Sequence, residues 1–413
     1  MRFYGQVRAT AVGQGIDGDK GLAVAAFEGD TTVLTQPAAG IPPLTRRASD
    51  IAVIAKQLKN GKGPVAIDAE RASGVTYSQS AYLIQLRREG AGTVLIDPKL
   101  NKDLSAIGSA LVGAEWILHA ADQDLPCLAA VGMVPDKLFD TEIAARLLGF
   151  ESIGLAACTR FVLGKELVKD HQANDWSYRP LPPDWLRYAA LDVELLIPLR
   201  NRMAQALVAA GKWQWAVAEM EHVRTAPPHV GIPKTWRDTP GIGKISDRRS
   251  LEILRRLWLE REEIAAYQNI APGKILSNKT LILAALARPK NRRELLNIGK
   301  FRDKTARQNL SAWARAVRGA AETPQSALPQ VTRPPRQHFS KEAKGRLVTI
   351  KQAVRQLATE LRIWPENLLS PRAQKALASA DNQQIEQTLL AAGARQWQIE
   401  LITPLFSELL GAA

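Results

Sequence analysis

Two acidic residues lie two positions apart in the run Ile67-Asp68-Ala69-Glu70. If this run is a strand, Asp68 and Glu70 project from the same face, because side chains two apart in a strand point the same way. Neighbouring carboxylates repel unless a cation lies between them, and hard divalent ions such as Mg²⁺ prefer oxygen ligands. Taken alone, however, two solvent-facing acids at a strand end are the better interpretation.

A second polar group occupies residues 118–125, after a predicted strand and at the start of a predicted helix. Asp122 suits the N-cap of that helix. Asp124 then lies in the first turn, where the helix dipole favours an anion, and its side chain could point over the sheet edge. A strand-end histidine is more often structural than catalytic, so His119 is left out of the predicted catalytic set.

A third candidate pair is Tyr188 and Asp192, on a predicted helix. Residues four apart share one helix face, so both side chains point at whatever that helix packs against. A buried aspartate on an apolar helix needs a partner. The alternative to a catalytic role is a plain Tyr–Asp hydrogen bond within the helix.

The elements that must hold these residues alternate between strands and helices. This alternation predicts an α/β domain, with a mixed sheet flanked by helices and antiparallel first strands. The predicted strands are Leu22–Phe27, Thr31–Leu34, Val65–Glu70, Ala81–Leu86, Thr93–Asp97 and Trp116–Ala120, and the predicted helices are Ser49–Leu58, Asn101–Leu111, Gln123–Val131, Thr141–Leu148, Leu155–Leu163 and Pro183–Ala210.

Beyond about residue 243 the sequence carries helical periodicity without strand signals. Two segments of this part resemble each other, Ala271-Pro-Gly-Lys-Ile-Leu-Ser and Trp364-Pro-Glu-Asn-Leu-Leu-Ser, with their prolines 93 residues apart. We interpret them as a diverged tandem repeat of a small helical module. The alternative is a coincidence between two helical bundles.

The positive charge of the chain is concentrated in its second half. Residues 231–413 contain 31 Lys and Arg against 16 Asp and Glu, a net charge of +15, whereas residues 1–230 carry a net charge of −1. This asymmetry favours a polyanionic partner for the second half, although a basic surface without a partner has the same composition. Eight basic residues cluster in one stretch: Arg288, Lys290, Arg292, Arg293, Lys300, Arg302, Lys304 and Arg307.

Composition narrows the class of protein further. A length of 413 residues and a hydrophobic content of 46% predict two or three globular domains. It has no apolar run of bilayer length and no apolar signal core behind a basic start. Cys127 and Cys158 form no CxxC or zinc spacing, which favours two reduced thiols and a cytoplasmic location.

In their order and spacing, the acidic motifs resemble the DEDD exonuclease superfamily, and within it the ribonuclease D family. That family carries DxE on its first strand, an aspartate at a later helix start and YxxxD on a late helix, which correspond here to Asp68/Glu70, Asp124 and Tyr188/Asp192. The connecting segments 139–149 and 175–181 are similar to the family as well. Residues 246–319 resemble an HRDC domain, and residues 340–413 a second, diverged copy.

The resemblance implies a ribonuclease H-like sheet and two divalent cations, Mg²⁺ or Mn²⁺. Asp68 would bridge the two cations, Glu70 and Asp192 would complete one site, and Asp124 would hold the other. Tyr188, rather than a histidine at position 187, indicates the DEDDy branch. Because the reference pKa of a phenol is near 10, we expect Tyr188 chiefly to position the attacking water.

The resemblance also implies the substrate, which is RNA with a free 3′ end, with precursor tRNA as the family-based expectation. Nucleoside 5′-monophosphates would be released. Tyr77, Gln79 and Arg179 lie in matching motifs and are predicted RNA contacts, as are the eight basic residues of 288–307. For Trp176 a packed turn is the better interpretation, and for Asp140 a cap of the helix that follows.

Two alternatives to an exoribonuclease stay open. The same carboxylates serve DNA 3′–5′ exonucleases, although no GxxxxGK[ST] helicase motif is present. A non-catalytic RNA-binding protein could also retain the fold. The predicted domains are an extension of unknown role at 1–45, the exonuclease domain at 46–225, a linker at 226–245, the HRDC domain at 246–321, a linker at 322–339 and the second HRDC-like domain at 340–413.

Overall fold

The computed structural model of the chain describes residues 29–167, 174–226, 235–331, 339–380 and 384–411. The strand-like run predicted at Leu22–Phe27 lies outside these residues. Within the described residues, no helix is both long and apolar enough to span a bilayer.

A mixed sheet forms the centre of the N-terminal part. Among the described residues it has six strands in the order β2-β5-β4-β3-β6-β7, in which β4 is antiparallel to both β3 and β5 and the other pairs are parallel. A separate parallel pair joins β1 and β8. The strands are β1 Thr32–Leu34, β2 Leu44–Thr45, β3 Lys62–Arg71, β4 Ala81–Glu89, β5 Gly92–Ile96, β6 Glu115–Leu118, β7 Lys137–Asp140 and β8 Lys165–Leu167.

Helices cover both faces of the sheet, which explains the unbroken apolar run of β3. Val65, Ala66 and Ile67 are each 0% exposed, because helices pack against the sheet on either side. The helices of this part are α1 Ala48–Asn60, α2 Ser105–Ala110, α3 Leu125–Ala129, α4 Thr141–Leu147, α5 Leu155–Leu163, α6 Pro183–Glu194, α7 Leu196–Ala209 and α8 Trp213–Thr225.

The prediction of one continuous helix over Pro183–Ala210 was wrong, because the structure has two helices there. The break falls at Leu195, between α6 and α7. Pro198 is the cause: proline has no N–H to donate and clashes with the preceding turn, so it is favoured in the first turn of a helix, here that of α7, and kinks or breaks a continuous helix. The predictions also omitted β7, β8 and α8.

The first helical bundle follows in residues 248–322. Its core surrounds Trp313 and Phe301, both 0% exposed, and the Trp313 indole donates to the Ala306 carbonyl at 2.9 Å. Its helices are α9 Arg248–Gln268, α10 Pro272–Ile275, α11 Asn278–Ala287, α12 Arg292–Leu296, α13 Lys304–Gln308 and α14 Leu310–Glu322.

The second bundle reproduces the local geometry of the first at positions 93 residues apart. Asn269 and Arg362 follow the long helices with φ of 49° and 50°, and the hydroxyls of Ser277 and Ser370 cap the helices that begin at Asn278 and Pro371. These shared turns support the proposed tandem repeat. The helices of the second bundle are α15 Lys341–Glu360, α16 Pro365–Leu368, α17 Pro371–Ser379, α18 Ile385–Ala391 and α19 Gln396–Gly411.

The second bundle packs directly on the nuclease part. One hydrophobic core runs from α4 and α7 into α15, α17 and α19. Hydrogen bonds lie at the edge of this core. The Trp364 indole donates to the Phe150 carbonyl at 2.8 Å. Lys212 Nζ donates to the carbonyls of Leu147 and Arg362 at 2.7 and 3.1 Å. The second bundle is therefore part of the nuclease core rather than a tethered appendage.

The first bundle contacts a different place, the loop that follows β3. The Ala271 amide donates to the Val75 carbonyl at 2.9 Å, and the Ser78 amide donates to Asn269 Oδ1 at 3.0 Å. Both contacts come from the turn before α10. The basic bundle is thereby attached a few residues from the acidic end of β3.

The contact between α8 and the second bundle depends on Glu219. Its carboxylate accepts from Arg395 and, at 2.9 Å, from the Trp397 indole, and its side chain is 14% exposed. We expect Glu219→Ala to lower the free energy of unfolding by about 2–4 kcal/mol, because it leaves a partly buried guanidinium without its carboxylate and an indole N–H without a partner. Denaturant unfolding of the full chain measures this loss.

Glu360→Ala is the matched control, since Glu360 is exposed and accepts one hydrogen bond, from Gln356 at 3.2 Å. It should change the stability by less than about 0.5 kcal/mol. Equal effects of the two substitutions would contradict the importance of the α8 contact.

Candidate active site

The end of β3 supplies two of the predicted acids. Asp68 and Glu70 follow the buried run of the strand, two residues apart as the sequence predicted. Asp68 Oδ2 accepts from Gln85 Nε2 at 2.6 Å across the β3–β4 ladder. Gln85 is 0% exposed and was not singled out from the sequence, where a lone glutamine in an apolar strand gave no sign of its partner.

A turn after β6 brings in Asp124. Ala120 has a φ of 58°, and the amides of Ala120 and Ala121 donate to the Asp140 carboxylate at 3.1 and 2.7 Å. Asp140 also caps α4 by accepting from Glu142 and Ile143, which confirms its predicted capping role. Asp140 therefore fixes the turn that aims Asp124.

The predicted cap assignment at this turn was wrong. Asp124, not Asp122, is the residue that precedes α3, because residues 121–123 form a short 3₁₀ turn of their own. Asp124 is buried, whereas Asp122 is exposed. His119 Nδ1 lies 2.9 Å from Thr141 Oγ1 and burial lowers its pKa to about 4, which agrees with a structural role.

Helix α6 supplies Tyr188 and Asp192 from one face, as the spacing predicted. The Tyr188 ring packs beside Trp176, with ring centroids 6.4 Å apart, and Trp176 is fully buried. The Tyr188 hydroxyl and the Asp192 carboxylate are hydrogen-bonded. Burial, followed by the negative charges of Asp192 and Glu70, raises the pKa of Tyr188 far above its ordinary value.

Three of the acids converge on one point. Asp68, Glu70 and Asp192 each offer an oxygen, and these oxygens all lie within 4.8 Å of one another. Asp124 lies outside that group but close enough for the charge of Asp68 to raise its pKa, after burial as the main cause. Burial likewise raises the pKa of Asp68 to about 6 and those of Glu70 and Asp192 well above the ordinary range.

One basic residue enters this acidic group, Arg71 at the end of β3. Its Nε lies 3.5 Å from Asp124 Oδ1, and its charge lowers the pKa of Asp68, Glu70 and Asp124. The sequence analysis did not single out Arg71, although it directly follows the DxE motif. Strand alternation turns adjacent residues to opposite faces, so nothing in the sequence pattern predicted the contact.

The chemistry of this donor set fits a divalent metal ion. Buried carboxylates that share one point repel, and a hard cation with oxygen ligands removes that repulsion. Asp68, Glu70 and Asp192 could hold one ion. Asp124 could take part in a second, at the side of the cluster where Arg71 now lies.

Of the predicted RNA contacts near the site, Tyr77 and Gln79 are available to a ligand. Tyr77 is 39% exposed, and Gln79 lies in an exposed turn, where it accepts from Ser73 at 3.3 Å. Arg179 is different: its guanidinium donates to both oxygens of Asp97 and to the carbonyls of Trp176, Tyr178 and Tyr82. With these partners it holds the turn before α6, and the structure gives no support to an RNA contact by Arg179.

The eight basic residues of 288–307 are all exposed on the first bundle. Three of them, Arg302, Lys304 and Arg307, line one open groove with Gln308. Arg288 is held in an ion pair with Asp247 and donates to Ser250 Oγ at 2.9 Å. The remaining predicted contacts on this surface are Lys290, Arg292, Arg293 and Lys300.

Three segments of the chain match family models. Residues 45–208 match a 3′–5′ exonuclease, residues 250–317 an HRDC domain, and residues 332–410 a 3′ to 5′ exonuclease C-terminal domain. Ribonuclease D of Pseudomonas paraeruginosa is 29% identical over 76% of this chain and 83% of its own length. Ribonuclease D of Zymomonas mobilis is 31% identical over 62% of this chain and 67% of its own length.

This chain belongs to the ribonuclease D family. It is a 3′–5′ exoribonuclease, which confirms the enzyme class and the resemblance predicted from the motifs. A protein of solved structure from Bifidobacterium adolescentis has a similar arrangement, with a TM-score of 0.84 and 34% identity over 92% of this chain and 99% of that one. Escherichia coli RNase D, at 24% identity, shares the fold with a TM-score of 0.70 over 90% of this chain and 99% of its own.

The fold class is also confirmed, as an α/β exonuclease part followed by helical bundles. The second bundle matches a model whose description differs from that of the first. Its likeness to an HRDC domain lies in the turn geometry shared with the first bundle. The predicted domain limits stay a proposal.

The carboxylate cluster makes the stability of the metal-free protein depend on pH. A carboxyl whose pKa is raised in the folded state keeps a proton that the unfolded chain has lost, so stability falls as pH rises from about 4 through about 6, the folded pKa of Asp68. A divalent cation competes with those protons and binds better as pH rises. We expect millimolar Mn²⁺ to raise Tm by at least about 3 °C more near pH 8 than near pH 5.5.

Differential scanning fluorimetry of the full chain measures this difference, with Asp68→Asn as the variant that should lose most of it. An equal rise of Tm at both pH values, or one that Asp68→Asn retains, would mean that Mn²⁺ binds elsewhere.

Proposed function

We propose that the chain hydrolyses RNA from its 3′ end with two divalent cations, Mg²⁺ or Mn²⁺, and releases nucleoside 5′-monophosphates. The observation that carries this proposal is the convergence of Asp68, Glu70 and Asp192 within 4.8 Å, with Asp124 beside them, in a chain of the ribonuclease D family. When bound, two cations activate the attacking water and stabilise the leaving oxygen of a phosphodiester.

The protein's own contribution is to hold the four carboxylates in place. Asp68 is oriented by Gln85, and its charge acts on Glu70, Asp124 and Asp192, so it would suit a ligand shared by both cations. Glu70 and Asp192 would complete one site, and Asp124 would belong to the other. Asp68 and Glu70 are fixed by β3 and Asp192 by α6, and the turn before Asp124 is tied to α4 through Asp140, so the carboxylates themselves need little reorganisation on binding.

Tyr188 positions the reacting groups rather than removing a proton. Its pKa is raised by burial and by Asp192, so the phenol stays protonated at neutral pH. A protonated phenol can donate one hydrogen bond and accept another. We assign it the orientation of the water or of the scissile phosphate, beside the wall formed by Trp176.

The first bundle is the proposed RNA-binding surface. Its exposed arginines and lysines supply phosphate contacts without base readout. The Ala271–Val75 contact attaches this bundle to the loop that follows β3, the strand that carries Asp68 and Glu70. An RNA body held there would leave its 3′ end near the cluster, which favours structured RNAs, with precursor tRNA as the expected substrate. We propose that this processing takes place in the cytoplasm.

Asp68→Asn tests the catalytic role of the cluster. It replaces a charged ligand by a neutral amide of the same size, and we expect cleavage of 5′-labelled RNA to fall by about 10³-fold or more, which corresponds to ~4 kcal/mol of transition-state stabilisation. RNA binding should stay within about threefold, because the basic surface is on another part of the chain. Asp50→Asn is the matched control, since Asp50 is exposed on α1.

Three results would count against the proposal. Cleavage by Asp68→Asn at the wild-type rate would remove the cluster from the reaction. Preference for DNA oligonucleotides over RNA would favour a DNA exonuclease. Binding without cleavage by the wild-type chain, in both Mg²⁺ and Mn²⁺, would favour a non-catalytic RNA-binding protein.

The basic groove is tested by the triple substitution Arg302→Gln, Lys304→Gln and Arg307→Gln. Deleting the helical half is unsuitable, because the second bundle shares its core with the nuclease part. We expect weaker binding of structured RNA and a slope of log K against log salt that is shallower by about 2–3, since roughly one counterion is released per phosphate contact. Filter binding over a salt series measures both.

The control is the neutralisation of Lys56, Lys59 and Lys62, which are exposed on α1 and the start of β3. It removes the same charge from the chain. If both triple variants lose the same affinity and slope, net charge rather than the groove determines RNA binding.

A further inference from the structure

We propose that Arg71 is a displaceable counter-ion of Asp124, and that the second divalent cation binds only by moving its guanidinium away. This inference rests on the proposed two-cation function and deepens it. Arg71, which lies outside the acidic motifs, would control the affinity of the site for the second cation.

A break in the strand pairing brings Arg71 to the acidic cluster. Along most of β3 and β4 the partners advance one for one, but Glu70 pairs with Leu83 and Arg71 with Ala81, so Tyr82 is an extra residue on β4. Such a bulge increases the local twist and re-aims side chains. In a regular ladder Arg71 would point to the face opposite Asp68 and Glu70.

The pairing of Arg71 with Asp124 is close but loosely held. Nε of Arg71 lies 3.5 Å from Asp124 Oδ1, and within the described residues this buried nitrogen makes no hydrogen bond. A further contact joins Arg71 Nη2 to Gln123 Oε1 at 3.4 Å, near the limit for a hydrogen bond. The guanidinium thus supplies charge to Asp124 without the geometry of a fixed pair.

Arg179 gives the contrast within the same molecule. It donates to both oxygens of Asp97 at 2.8 and 2.9 Å and to three backbone carbonyls at 2.7 Å. Moving Arg179 would break five hydrogen bonds, whereas moving Arg71 breaks one long hydrogen bond and a loose ion pair. The side chain of Arg71 is 23% exposed, so it has a route to solvent.

The charge of Arg71 explains why the two cations would be bound with different affinities. The group formed by Asp68, Glu70 and Asp192 can take a cation without displacing Arg71 from Asp124, although the Arg71 charge also acts on Asp68 and Glu70. A second cation at Asp124 meets a guanidinium already bound to that carboxylate, and the two positive charges exclude each other. Binding at Asp124 is therefore weakened by the loss of the ion pair.

Calorimetric titration of the full chain with Mn²⁺, without RNA, tests this. The wild-type chain should bind two ions with unequal affinity. In Arg71→Met the weaker site should tighten about tenfold, the factor that one neighbouring charge exerts on an ionic equilibrium at this distance. The stronger site, on which the Arg71 charge also acts, should tighten less, by no more than about threefold. Arg71→Lys keeps the charge and should remain near the wild type.

Arg200→Met is the matched control, because Arg200 forms a half-buried pair with Glu115 at 2.7 Å at the other end of the sheet. It should leave both constants unchanged. If Arg71→Met does not fold, Arg71→Lys and Arg71→Gln give the same comparison of charge against no charge.

The titration distinguishes a failure of the counter-ion role of Arg71 from a failure of the two-cation proposal. Two bound ions with constants that Arg71→Met leaves unchanged, or a weaker site that loses affinity, would overturn the counter-ion role and leave the two-cation proposal intact. Fewer than two bound ions in the wild type and in every variant would overturn the two-cation proposal, and the role of Arg71 with it.

Discussion

Buried negative charges that repel one another are the constraint on which the rest of this structure depends. Asp68, Glu70 and Asp192 meet within 4.8 Å, and Asp124 lies close by. Such a group is unfavourable without compensating cations, and its raised pKa values express that cost. The fold supplies the stability that keeps the group assembled, and the proposed cations would supply its chemistry.

The rigidity of the site comes from side chains that do not take part in the reaction. Gln85 orients Asp68, Asp140 ties the turn before Asp124 to the start of α4, and Trp176 backs Tyr188. The second bundle contributes at a distance, since its core is continuous with the helices that cover the sheet. Loss of that bundle should therefore weaken the site without removing any residue from it.

The sequence paired Asp68 with Glu70 and Tyr188 with Asp192 because each of these two pairs depends on local periodicity. Side chains two residues apart on β3, or four residues apart on α6, lie on the same face because of the geometry of a strand or a helix. The prediction failed where one residue decides the outcome, as Pro198 does by dividing a helix. The approach of Arg71 to the acids, which a bulge at Tyr82 accompanies, and the pairing of Arg179 with Asp97, 82 residues away in the chain, were not predicted because they depend on distant contacts.

The most direct measurement of the central claim is a crystal structure of the full chain soaked in Mn²⁺, with the ions located by their anomalous scattering. Two peaks are predicted, one enclosed by Asp68, Glu70 and Asp192 and the other against Asp124, with the Arg71 guanidinium turned away from it. No peak at the carboxylates, with Mn²⁺ bound elsewhere on the chain, would contradict the account.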